Sequence, residues 1–155
     1  MTNMEDNLKQ ELHDLEKAKD VLHYSYEKCL SIELTEGLSY EEEESFEALT
    51  SRFARLSDLI IQKTFRLLDI LDLEDEGTIR DRINRAEKKR VIYSADDFIE
   101  IRILRNEIAH EYKSETIYDI FEKVLEYTPK LLESVETIVA YAQKYCKKTG
   151  ASIGS

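Results

Sequence analysis

The sequence predicts an all-α fold, an antiparallel bundle of about five helices. Three observations carry this. Only 4 Gly and 1 Pro interrupt 155 residues, and these are the strongest helix breakers. Apolar side chains recur at three-, four- and seven-residue steps along most of the chain, which is the period of one helical face. No β-hairpin pattern is present. The same scarcity of glycine argues against a Gly-rich nucleotide loop. One domain is expected for this length, over residues 1–146. Residues 147–155 lack apolar periodicity and are expected to fray.

The first helix is expected from Glu5 to Ser31, with Leu8, Leu12, Leu15, Leu22 and Tyr26 as its apolar stripe. Gly37 breaks the chain. Ser39 then reads as an N-cap, and Glu41, Glu42, Glu43 and Glu44 fill the first turns. Negative charge there complements the helix dipole, so the four-Glu run is read as helix-start chemistry and not as a metal site. The second helix runs to about Leu71 through Phe46, Leu49, Phe53, Leu56, Ile60, Phe65, Leu67 and Leu68, a span of roughly 50 Å. The acids that follow, Asp69, Asp72, Glu74, Asp75 and Glu76, read as a solvated turn before a divalent-ion site. Thr78 can cap a third, basic helix ending near Arg90. Ser94 opens a fourth with Asp97 in the capping-box position, and Phe98, Ile101, Leu104 and Ile108 form its apolar face. Ser114 or Thr116 can cap the fifth, which reaches about Cys146. Ile117, Ile120, Phe121, Val124, Leu125, Leu131, Leu132, Val135, Ile138 and Val139 are its core face. Pro129 lacks a backbone donor and is expected to kink that helix or split it.

The net charge is −11, which speaks against a general nucleic-acid binder. Its distribution is uneven. Residues 1–48 hold 14 acidic and 4 basic side chains, whereas residues 49–114 hold 13 of each. Arg80, Arg82, Arg85, Lys88, Lys89 and Arg90 form a local basic run, with Arg102 and Arg105 soon after. Two readings stand: a salt-bridged solvated face, or a phosphate-contacting patch beside a site. No apolar run is long enough for a transmembrane helix. The acidic start is unlike a secretory signal. Cys29 and Cys146 lack ligand spacing, so a cytoplasmic chain with reduced thiols is expected.

His13 and His23 sit among ordinary neighbours of the first helix. His110 does not: it follows Arg105 and Asn106 and precedes Tyr112. Residue types alone leave two readings. His110 could simply favour the negative end of a helix. Alternatively, Asn106, four residues before it, shares its face and could set its tautomer. Arg105 lies five residues away, about 140° around a regular helix. The two meet only if the helix loosens after Ala109, or across a two-fold axis. An Arg–His pair suits RNA cleavage without metal. Histidine can take the proton of an attacking 2′-OH or supply one to the leaving 5′-oxygen. Arginine can grip phosphate oxygens and offset charge in the transition state. The same pair could also only bind a phosphate.

At these residues the chain resembles the HEPN superfamily. Arg105, Asn106 and His110 match its Arg-x4–6-His signature, and Tyr112 completes the Arg-x4-His-x-Tyr form of HepT-like toxins. The resemblance spans residues 5–145, with its specific part between Arg105 and Tyr112. It implies a homodimer whose motif helices meet at a cleft, and a metal-independent endoribonuclease that needs no cofactor and acts on RNA, tRNA included. By position Arg105 and His110 would be catalytic, and Asn106 would orient His110. Tyr112 would be the hydroxyl that a partner MntA-like nucleotidyltransferase antitoxin modifies with AMP from ATP. A phosphate-bearing group beside His110 would repel an RNA phosphate. The basic run from Arg80 to Arg90, with Arg102, is expected to line the cleft. The acidic first third would suit a basic partner. A non-catalytic subunit of a nucleotidyltransferase is the alternative, and a bundle without a site is the third reading.

Overall fold

The computed structural model describes residues 2–35, 37–110 and 114–146. Among them every regular element is helical. They are α1 (Thr2–Leu30), α2 (Tyr40–Asp58), a π-helical segment (Leu59–Thr64), α3 (Phe65–Leu71), α4 (Ile79–Lys88), α5 (Ala95–Ala109) and α6 (Ser114–Cys146). The second expected helix is thus one rod from Tyr40 to Leu71 with a π turn inside it. The Phe65 N–H reaches back five residues to the Ile60 carbonyl. The Thr64 hydroxyl also donates to the Leu59 carbonyl at 3.0 Å.

The starts follow the sequence. Ser39 and Glu42 form a complete capping box, as do Thr78 and Asp81. Ser94 accepts from the Asp97 N–H at 3.1 Å. Asp97 does not return the favour; its carboxylate takes Lys130 of α6 instead, at 3.1 Å. Two ends use one device. At α3 the N–H groups of Leu73 and Glu74 return to the carbonyls of Ile70 and Asp69. At α4 those of Arg90 and Val91 return to Glu87 and Ala86. Both are Schellman closures, with Leu73 (φ 63°) and Arg90 (φ 66°) in the left-handed position that glycine usually fills.

α1 and α2 run antiparallel, since Ser25 meets Arg52 while Cys29 meets Ser45. α5 and α6 do the same through Asp97–Lys130 and Glu107–Lys123. One cluster of buried apolar side chains joins all the helices. Phe46 stacks on Phe121 at 5.1 Å between ring centres, and Phe65 meets Phe98 at 5.6 Å. The expected stripes are buried or half-buried throughout. α6 passes through Pro129 as one helix and is not split. Pro129 offers no N–H to the Leu125 carbonyl one turn earlier, while the adjacent Thr128 hydroxyl donates to the Val124 carbonyl at 2.6 Å. The capping role expected of Ser114 or Thr116, and the expected tail 147–155, lie outside what is described, while α6 itself begins at Ser114. No described helix is long and apolar enough to cross a membrane. Cys29 is a buried free thiol, and burial pushes its pKa up to about 11.

Candidate functional site

α5 ends at Ala109, one residue before the histidine. His110 is the C-cap, with extended backbone (φ −82°, ψ 153°), and its N–H bonds the carbonyls of Asn106 and Glu107. The four-residue helical spacing that would have paired Asn106 with the imidazole therefore stops short of it. No hydrogen bond joins the Asn106 and His110 side chains, and both are exposed. The chain leaves its helix where Arg105 and His110 need it to if they are to meet. Tyr112 lies outside the described residues.

Arg105 projects from the other side of α5 toward the end of α2. Its Nε donates to Asp58 Oδ1 at 2.6 Å and its Nη2 to Oδ2 at 2.8 Å. The pair is partly exposed, 29% for Arg105 and 41% for Asp58. The hydrogen bond to Asp58 raises the guanidinium pKa above its ordinary value and holds it charged.

Asp58 and Arg105 stand in a cavity of about 750 Å³ between α2, the π segment and α5. Arg55, Lys63 and Arg102 line it with Arg105 and Asn106. Four cations thus face one carboxylate, on a protein whose net charge is −11. Sequence reasoning missed Arg55, Asp58 and Lys63. They lie some 40 to 50 residues before Arg105, and only the packing of α2 on α5 gathers them. Their shared helical stretch is the one signal that pointed there. His110 is not among the residues lining this cavity.

The basic run on α4 does something else. Arg85 donates to Asp69 at 2.9 Å and to the Glu76 carbonyl at 2.8 Å. Lys89 donates to Asp69 at 3.0 Å and to Asp72 at 2.7 Å. Arg82 bonds Asp75 at 2.9 Å. On the far side, the Tyr141 hydroxyl donates to Asp72 at 2.7 Å, the Tyr145 hydroxyl bonds the same carboxylate, and Lys144 donates to the Tyr141 hydroxyl at 2.8 Å. Asp69 is only 5% exposed. Two expectations are corrected here. Of the five acids expected in a solvated turn, Glu74, Asp75 and Glu76 are exposed, whereas Asp69 and Asp72 form a largely buried anionic centre neutralised by α4 and α6. Arg82, Arg85 and Lys89 are turned inward to meet it and are not laid along a cleft. Arg80, Lys88 and Arg90 remain exposed on or beside α4. Of the seven residues expected to contact RNA, Arg102 alone lines the cavity that holds Arg105.

Comparison of the chain with family models, with curated proteins and with solved structures returns no match.

Proposed function

We propose that the chain is a metal-independent endoribonuclease that works as a homodimer. Arg105 and His110 are its catalytic residues, and a partner nucleotidyltransferase restrains it by adenylylating Tyr112. The observation that carries this reading is the cavity where Arg105 and Asn106 join Arg55, Lys63 and Arg102, one turn of α5 from a histidine released by the helix. Concentrated cations on an acidic chain suit a phosphodiester backbone. Arg105 grips the phosphate. His110 removes the 2′-OH proton as that oxygen attacks phosphorus, or returns a proton to the departing 5′-oxygen. The P–O5′ bond breaks, leaving a 2′,3′-cyclic phosphate and a 5′-hydroxyl. A two-fold dimer supplies the second histidine for the other transfer.

A second reading draws on His110 standing outside the cavity: a non-catalytic subunit of a nucleotidyltransferase, with Arg105 as a phosphate-binding residue. One experiment separates them. The unmodified protein, its mass recorded to exclude an adenylylated Tyr112, is incubated with tRNA and mRNA in EDTA beside His110→Ala. Cleavage to cyclic-phosphate ends, lost in the variant, is expected. A folded, unmodified dimer that cuts neither RNA would leave the non-catalytic subunit.

A further inference from the structure

The proposed chemistry gives Asp58 no part, yet it makes the shortest and best-formed contact in the cavity. Its two oxygens take the Nε–H and one Nη2–H of Arg105, at 2.6 and 2.8 Å. A guanidinium carries five N–H donors, and this edge uses two. The outer edge, formed by Nη1 and the second N–H of Nη2, is another two-donor fork matched to two phosphate oxygens. An anion can therefore be gripped without displacing the carboxylate.

Asp58 itself is firmly placed. Leu56 and Ser57 before it and Leu59 after it are buried. The Ser57 hydroxyl donates to the Phe53 carbonyl at 2.9 Å. The Leu59 N–H closes the end of α2 on the carbonyls of Arg55 and Leu56. Arg105 has a long side chain with many rotamers, anchored only through its backbone on α5. A half-exposed pair of this kind adds little to stability. Holding the floppy partner still is the work it does well, since sites need side chains locked by a supporting shell.

We propose that Asp58 is the positioning residue for Arg105, clamping its Nε/Nη2 edge so that the Nη1/Nη2 edge meets the scissile phosphate. This role rests on the ribonuclease reading above. The competing picture is a plug, a carboxylate that RNA must expel before Arg105 can act.

Single-turnover cleavage of an RNA oligonucleotide and binding of its uncleavable 2′-deoxy counterpart decide between them. Wild type is compared with Asp58→Ala, Asp58→Glu, Arg105→Ala and the Asp58→Ala/Arg105→Ala double variant. Asp58→Ala is expected to cleave at least tenfold more slowly, while binding the deoxy strand no more weakly, since an opposing charge has gone. Asp58→Glu should recover part of the rate. The double variant should be no slower than Arg105→Ala alone, because Asp58 acts only through that arginine. Faster cleavage by Asp58→Ala would establish the plug and overturn the proposal, as would an unchanged rate. Wild-type protein that does not cut, whether or not it binds, would instead remove the ribonuclease reading, and this role with it.

Discussion

Asp72 shows how a single carboxylate ties three helices together. Lys89 of α4 and Tyr141 and Tyr145 of α6 all bond it at the end of α3. Burial alone would push its pKa up. The hydrogen bonds from Lys89 and Tyr141 and the charges of Lys89 and Lys144 outweigh burial and hold it below the ordinary 3.8. A carboxyl depressed in the folded state contributes stability above its unfolded pKa and loses it as pH falls through the folded one. Part of the acid limb, starting near pH ~4, therefore belongs to Asp72. Asp72→Asn should lower the urea midpoint at neutral pH and flatten its decline on further acidification. Parallel curves for variant and wild type would assign the limb elsewhere. Asp69 is more deeply set, and Asp69→Ala leaves Arg85 with the Glu76 carbonyl alone and Lys89 with Asp72 and Glu74. A loss of about 1–3 kcal/mol is expected from urea unfolding. The sequence offered salt-bridging of the basic run as one reading, but not its partners. The acids look like a polar turn, and the cations that claim them stand 16 to 20 residues later. The Arg105–His110 motif was legible because it is local. Its geometry was not, because α5 stops at Ala109 and leaves Asn106 without the imidazole.

At the scale of elements, the helices begin on residues that announce themselves and end on residues that do not. Ser39, Thr78 and Ser94 precede runs whose third residue is acidic, and each caps its helix. This is local chemistry that needs no tertiary partner, so it reads from sequence. The ends of α3 and α4 put Leu73 and Arg90 where glycine is preferred, a choice visible only once the backbone is traced. The π turn at Leu59–Thr64 was equally hidden. Leu59, Ile60 and Ile61 are all buried there, and an extra residue in one turn barely disturbs the apolar period. Leu73 offers a direct test. It is 91% exposed, so its side chain contributes no packing, while a left-handed non-glycine residue costs about 1–2 kcal/mol. Glycine removes that cost but frees the unfolded chain by about 0.5–1 kcal/mol. Leu73→Gly should therefore raise stability by about 0.5 kcal/mol, seen as a higher melting temperature. A lower one would mean that the exposed leucine has a partner in the assembled protein.

Over the whole molecule, the ribonuclease reading requires that an acidic chain still present a surface that a polyanion accepts. The charges are segregated. Residues 1–48 hold most of the acidic excess, Asp69 and Asp72 are neutralised inside the fold, and Arg55, Lys63, Arg102 and Arg105 gather around one cavity. Two sets of arginines and lysines thus look alike in sequence and differ in duty. Salt separates them, because each phosphate neutralised releases counterions and steepens the salt dependence by about 0.7 in log–log slope for a single strand. Four groove cations predict a slope of about −3 for an uncleavable single-stranded oligonucleotide. Arg102→Ala should flatten that slope by about 0.7 while leaving the urea midpoint nearly unchanged. Arg85→Ala should do the reverse, lowering the midpoint because it uncovers Asp69 and leaving the slope alone. A flattened slope in Arg85→Ala would return α4 to the RNA surface, and an unchanged slope in Arg102→Ala would take the cavity away from it.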